Sequence, residues 1–302
     1  MKKIINKVYK RITKAIENTS WYNNFWGGVC KFWYFEKKYV KVINLGSNSA
    51  NNAFSYKNTS VLGLNMALGP QSLEHDYSIL KNYFSYLEEN GVVLITLCPF
   101  SCMKVNYTQR HNLKYYTILH PATIPGFKED ERQKALYIQA NPLKVMPVQC
   151  CLGVIKELVR RIMPRKKVKV NFTEHADKML NSWKVQFSIS DLDASLSSEH
   201  KKDFIDRANT LREMIDFCKI RGLRPYVVLP PVHKTLSDIL SPSFMDNYVY
   251  EFVKVAGATD IFLNYFNSET FQKDEFFSNS YYMNSMGADK FTNDVIARLN
   301  IQ

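Results

Sequence analysis

Four short apolar runs, each closing on a tight turn and parted from the next by a helical pattern, constrain this chain more than any other feature. They are YVKVINLG at 39–46, GVVLITLCPF at 91–100, RPYVVLPPVHK at 224–234 and ATDIFLNYF at 258–266. The stretches beside them read as helices. SLEHDYSILKNYFSYLEEN places Leu73, Tyr77, Leu80, Tyr83, Phe84 and Leu87 on one face. SSEHKKDFIDRANTLREMIDFCKIRG ends at Gly222, where a C-terminal cap belongs, and FMDNYVYEFVKVAG and GADKFTNDVIARLN continue the pattern. Strands alternating with helices pair in parallel, because each crossover returns the chain to the same end of the sheet. The expected fold is a three-layer α/β/α sandwich around a mainly parallel sheet.

A chain of 302 residues gives such a sandwich room for one core and an elaboration, and two regions break the alternation. In residues 1–38, MKKIINKVYKRITKAIENTS sets Ile4, Ile5, Val8, Ile12, Ala15 and Ile16 at helical spacing among Lys2, Lys3, Lys7, Lys10, Arg11 and Lys14. WYNNFWGGVCKFWYFEKKY follows, with Trp21, Trp26 and Trp33. A basic amphipathic helix followed by indoles suits an anionic membrane surface, where the rings lie at headgroup level. The same pattern also describes a helix packed on its own domain. Within the α/β domain of residues 39–302, residues 101–198 form an insertion with prolines at 121, 125, 142, 147 and 164, expected as a cap at the sheet edge. Its segment CLGVIKELVRRIMPRKKVKV carries Arg160, Arg161, Arg165, Lys166, Lys167 and Lys169, either for phosphate or anionic lipid or as a solvated helix end.

The net charge of +12 points to acidic partners. Nucleic acid is not expected among them, since neither the aromatic and basic signature of an RNA-binding sheet nor zinc-finger spacing occurs. The chain shows no secretory pattern, no run near the roughly 18 apolar residues that span a bilayer, and six cysteines without a CxxC pair. The expectation is a cytoplasmic protein with free thiols, peripheral at the inner face of the membrane.

Open parallel sheets bind ligands beyond the carboxyl ends of their strands. That rule marks the loops Gly46–Ala50, Cys98–Cys102, Pro230–Lys234 and Asn264 onward. NMALGPQS, beginning at Asn65, reaches the same rim, and its Gly69 and Pro70 lead into a helix whose first N–H groups suit an anion or oxyanion. NLGSNSA and FFSNSYYMNSMGADKFT resemble the two ends of an SGNH (GDSL-type) hydrolase domain. NMALGPQS and LPPVH look most like the variants found beside cell-surface polysaccharide genes and the teichoic-acid D-alanylation protein. The resemblance implies a flavodoxin-like arrangement of the sheet, an oxyanion-hole glycine at Gly69, and a terminal helix introduced by Asn284, Gly287, Ala288 and Phe291. As partner it implies a glycan or a lipid-linked saccharide.

The catalytic residues of that family do not carry over. With Gly46 on the family glycine, Ser47 takes the place of its aspartate and Asn48 that of its nucleophilic serine. Tyr282 stands for the histidine, Asn279 for the acid, and Phe100 and Ser101 where the second-block asparagine belongs. Two functions stay open. One is a silent site that binds a saccharide or an assembly partner through Gly46, Asn48, Asn65, Gly69, Ser101, Asn279, Tyr282 and Asn284. The other is an esterase or O-acyltransferase in which Ser47 or Ser49 attacks with His233 as base, since an unactivated hydroxyl is a poor nucleophile. Cys98 and Cys102 are expected as inert packing. His75 with Asp76, and Glu174 with His175 and Asp177, lack a third ligand and are expected at the surface, so no metal is implied. Without GxGxxG or GxxxxGK[ST], no cofactor is implied either.

Overall fold

The structure, a computed structural model, describes residues 2–37, 39–104, 112–163 and 170–302, with no side chains for 2–8 and 10. The residues Lys2, Lys3, Ile4, Ile5, Lys7, Val8 and Lys10 therefore lie outside the described side chains, and Arg165, Lys166, Lys167 and Lys169 outside the described residues. The chain forms two compact units, Met1–Glu36 with Tyr107–Lys169, and Lys37–Asn106 with Val170–Gln302.

In the first unit, helices α1 (Lys2–Glu17) and α2 (Ser20–Phe25) belong with α5 (Glu129–Ala140), α6 (Pro142–Val145) and α7 (Pro147–Ile162). The N-terminal aromatics are its core. Tyr22 and Trp26 are buried, and Trp26 packs edge-on against Tyr22, Phe25 and Trp33. Trp33 Nε1 donates to Thr117 Oγ1 at 3.1 Å. Thr19 caps α2 by accepting the Tyr22 N–H, and the Ser20 hydroxyl donates to Glu157 of α7 at 3.0 Å. The expectation that these indoles lie at headgroup level is corrected at Trp26: a ring burying its full area in a close-packed core gains more than one left at an interface. The N-terminal segment folds with residues 107–169, and residues 170–198 with the sheet, so the expected insertion divides between the two units.

The second unit holds a parallel sheet of β1 (Val40–Leu45), β2 (Gly63–Asn65), β3 (Leu87–Thr96), β4 (Arg224–Leu229) and β5 (Phe262–Asn264), in the order β2-β1-β3-β4-β5. Strands β1 and β3 read apolar on successive residues because helices cover both faces. Val42, Val92, Leu94 and Val228 point to a core completed by Phe54, Phe291 and Val295, the latter two on α13 (Ser285–Arg298). The alternate residues Ile43, Val93, Ile95 and Val227 are equally buried on the other face. There α4 (Leu73–Tyr83) packs with α9 (Ser198–Ile220), whose Gly222 sits beyond the helix end at φ +68°, as expected of a cap. This is the expected three-layer α/β architecture.

Two local expectations differ. The helix through SLEHDYSILKNYFSYLEEN stops at Tyr83, and Leu87–Asn90 open β3 instead. Leu87 pairs with Val40, after which the partner of Val42 is Val92, so Glu88–Gly91 bulge from the ladder with Asn90 at φ +58°. FMDNYVYEFVKVAG is helical, but its first half, Met245–Tyr250, is a π-helical turn between α11 (Pro242–Phe244) and α12 (Glu251–Val255).

Candidate functional site

The strand order reverses direction between β1 and β3, which makes the loops after them the crevice of the fold. Gly46 turns the chain out of β1 at φ +129°, where an added Cβ would lie 2.7 Å from Ala50 Cβ and 2.9 Å from the Thr96 carbonyl. Only glycine fits. Its N–H donates to Asp76 Oδ1 at 2.7 Å, and its carbonyl accepts from Gln71 Nε2 at 3.1 Å. Gln71 also bonds Asp76 through Nε2, and its N–H donates to Ser47 Oγ at 3.2 Å. Asn65 Oδ1 accepts from Asn44 Nδ2 and Ala67 N–H, while its Nδ2 donates to the Asn51 and Phe54 carbonyls. Thus Gly46, Ser47 and Asn65 lock three loops together.

Asp76 is 3% exposed, against the expectation that His75 and Asp76 face solvent. Both lie on the inner face of α4, and His75 Nδ1 is 3.0 Å from the Ser72 hydroxyl. Burial is the main influence on Asp76 and pushes its pKa up to about 7, against the pull of the bonds from Gln71 and Gly46.

Helix α3 (Asn48–Ala53) begins where the family nucleophile would stand. The Asn48 amide lies against Gly69, whose Cα hydrogen faces it; a Cβ there would collide with Asn48 Oδ1. Ser49 is buried in the first turn and lines a cavity of about 10 Å³ with Cys98, Pro230 and Tyr281, the room of about one water molecule. Burial, and then the neighbouring Cys98, push the Tyr281 phenol well above its ordinary pKa. Ser101 Oγ accepts the Cys98 N–H at 2.8 Å and so closes the turn after β3. Cys102 is buried, and burial raises its thiol.

His233 caps α10 (Lys234–Ser237): its Nδ1 accepts the Thr235 N–H, and its Nε2 lies 3.0 Å from Asp274 Oδ1. These partners assign the proton to Nε2, which donates to the carboxylate. The ring stacks on Phe172 at 4.0 Å between centroids and meets the edge of Phe277 at 5.5 Å. Neither nitrogen bonds Ser47 or Ser49. A Ser–His pair forms elsewhere, His175 Nδ1 with Ser280 Oγ at 2.7 Å, but Ser280 is 0% exposed and closed to a substrate. His175 is thereby half-buried, not the fully solvated residue expected, while Glu174 and Asp177 are exposed.

The tail residues hold its own shape. Asn279 Oδ1 accepts the N–H groups of Tyr281 and Tyr282, and Asn284 caps α13 by accepting from Gly287 N–H while donating to the Glu275 and Phe277 carbonyls. A Cβ at Gly287 would collide with the Phe276 carbonyl. Tyr282 is half-buried, and burial raises its phenol.

A second cavity, of about 210 Å³, opens at the same carboxyl edge between the segments after β4 and β5. Leu240, Pro242 and Phe266 form its apolar wall; Asp246, Tyr250 and Asn267 supply its polar groups. Asn264 Nδ2 donates to the Tyr250 hydroxyl at 2.8 Å and fixes that ring. The sequence marked the loop after Asn264 and the helix in FMDNYVYEFVKVAG, but not that the two enclose a cavity, because a contact between distant segments leaves no local pattern. It did hold a signal for Arg207, an arginine on the stripe of Phe204, Ala208 and Leu211. Buried in α9, Arg207 donates to the Ser101 carbonyl at 2.5 Å and pairs with Glu74 at 3.3 Å. Burial alone would raise Glu74, but the Arg207 charge and the Ser72 hydroxyl hold it below the usual carboxylate range.

Among the described residues no group of three His, Cys, Asp or Glu is placed to hold a metal ion, and no helix is long and apolar enough to cross a membrane. No protein-family model and no curated protein matches this chain, so geometry carries the functional reading.

Proposed function

We propose that this chain is a catalytically silent SGNH-hydrolase-like protein of cell-surface glycan assembly that binds a saccharide at the carboxyl rim of its sheet. One observation carries the reading. The nucleophile's place has room for about one water beside Ser49, whereas the 210 Å³ cavity between the β4 and β5 segments is open and mixed in chemistry. Its volume suits one sugar ring. Tyr250 brings an aromatic ring to the lining, of the kind that packs on sugar C–H groups, and Asp246 and Asn267 bring an acceptor and a mixed amide for hydroxyls. The sequence resemblance at NLGSNSA and FFSNSYYMNSMGADKFT supplies the glycan context, and the order β2-β1-β3-β4-β5 agrees with it.

Two measurements test the proposal. Fluorophosphonate labelling beside an active SGNH hydrolase should leave Ser47 and Ser49 unmodified. An adduct on either, lost on denaturation, would replace this reading by the esterase or O-acyltransferase that pairs the serine with His233. Saturation-transfer NMR with N-acetylglucosamine, glucose and galactose should show binding that Tyr250→Ala and Asp246→Ala abolish. Signals unchanged in both variants would place any saccharide elsewhere.

A further inference from the structure

Helix α7 is amphipathic in an unusual sense: its apolar stripe faces outward. Its inner face is narrow, with Cys150 and Gly153 buried and Glu157 bonded to Ser20. Val148, Leu152, Ile155, Val159 and Ile162 follow one another at spacings of four and three, and Leu158 stands three after Ile155 and four before Ile162, so all six share one side of the helix. All six are exposed, from 49% at Leu152 to 79% at Ile162. Lys156 and Arg160 flank this stripe, with Lys144 before the helix and Arg161 in its last turn, and all four are exposed. The one acid of the helix, Glu157, is held by Ser20 and pairs with Arg160 at 3.6 Å, so apart from the neutral Gln149 and Cys151 the exposed side chains of α7 are apolar or cationic.

We propose that α7 lays this face on an anionic lipid bilayer. A continuous apolar face left in water is costly, and on a bilayer those side chains enter the acyl boundary. Lys156, at the border of the stripe, then reaches the headgroup phosphates with its alkyl stem along the apolar side, and Arg160, 3.6 Å from Glu157, adds its charge from behind it. The sixteen residues of α7 extend about 24 Å, short of the roughly 30 Å hydrocarbon core, so the helix lies along the surface and does not span it. Charge favours a bilayer over a second copy of the chain, since a self-complementary pairing would set these cations against each other. The surface is independent of the saccharide cavity. It also differs from the N-terminal anchor read from sequence, whose Trp26 is spent on the core of the unit.

The test is sedimentation of the full chain with vesicles of phosphatidylcholine alone and with added phosphatidylglycerol, together with an environment-sensitive fluorophore on Cys151, the exposed thiol among the six. Binding should require phosphatidylglycerol and shift the fluorophore to the blue. Ile155→Glu with Val159→Glu should weaken binding at least about tenfold. Lys156→Gln and Arg160→Gln should each weaken it about fivefold. These side chains are exposed, so circular dichroism should report an unchanged fold. Ile12→Glu, on the exposed side of α1, should leave binding unchanged. Equal binding by wild type and the double glutamate variant overturns the proposal, as does loss confined to Ile12→Glu. So does a wild type that ignores both vesicles and forms a dimer dispersed by Ile155→Glu, which would make the face a contact between copies.

Discussion

Asp76 links the buried geometry of the crevice to a measurable pH dependence. Its folded pKa of about 7 lies above the ordinary value of an unfolded aspartate, near 4. Between those values the folded chain holds the extra proton, so stability falls as pH rises from about 4 to 7, by at most about 1.4 kcal/mol per unit. Above pH 7 the charged carboxylate is buried and the loss is complete. Asp76→Asn keeps an oxygen for the Gly46 and Gln71 donors, so it should flatten this slope and melt higher than wild type at pH 8. Thermal unfolding at pH 5, 6, 7 and 8 checks it; parallel profiles for the two proteins would refute it. Gly46→Ala acts through sterics instead. With φ at +129° and the Thr96 carbonyl 2.9 Å from the new methyl, it should cost about 2 kcal/mol or more in urea unfolding.

At the scale of elements, the start of α13 fixes how the tail meets the sheet. Asn284 accepts from Gly287 and donates to two carbonyls, while Gly287 presses on the Phe276 backbone. Asn284→Ala should destabilise by about 1–2 kcal/mol from the lost cap. Gly287→Ala should cost about 2 kcal/mol or more, since the obstacle is backbone and cannot swing away. Denaturant midpoints at unchanged slope test both, and a Gly287→Ala midpoint equal to wild type would show that the 276–284 turn yields. The residues that read as a family motif at this end are thus held by helix entry and turn geometry. A similar division applies to Ser47 and Asn65, which join loops, and to Ser101, which closes its own turn.

At the scale of the molecule, residues Met1–Glu36 supply buried Tyr22, Trp26 and Val29 to the unit they share with Tyr107–Lys169. Removing them uncovers the opposite side of that core. The truncated chain should bind a hydrophobic dye such as anilinonaphthalene sulfonate and lose near-ultraviolet dichroism, and a truncation that stays compact and dye-free would refute this. Loss of membrane binding on such a deletion therefore reports lost structure, and single exposed substitutions on α7 are the informative probes. The net charge of +12 makes any bilayer association fall with salt, as screening shortens the reach of Lys156 and Arg160.

The layers and four of the five strands were legible in the amino-acid pattern, whereas the three-residue edge strand β2 was too short to stand out from its loop. The runs at 39–46, 91–100, 224–234 and 258–266 are apolar on successive residues, and burial on both faces of a parallel sheet is the way such runs leave water. The pattern also located Gly222 at a helix end, because caps depend on neighbours three or four residues away, whereas Asn284 at the entry to α13 came only from the family resemblance. Tertiary structure alone decided the rest. Leu87 joins β3, not α4, because Val40 offers it a partner forty-seven positions upstream, a contact no local period encodes. Asp76 is buried because Gly46 and Gln71 satisfy it, and His233 is engaged because Asp274 and Phe172 arrive from distant segments. The outward turn of α7 was settled in the same way. An amphipathic helix announces an apolar face in its sequence, but which side is covered depends on where its neighbours sit, and here α2 covers the side of Gly153 and Glu157.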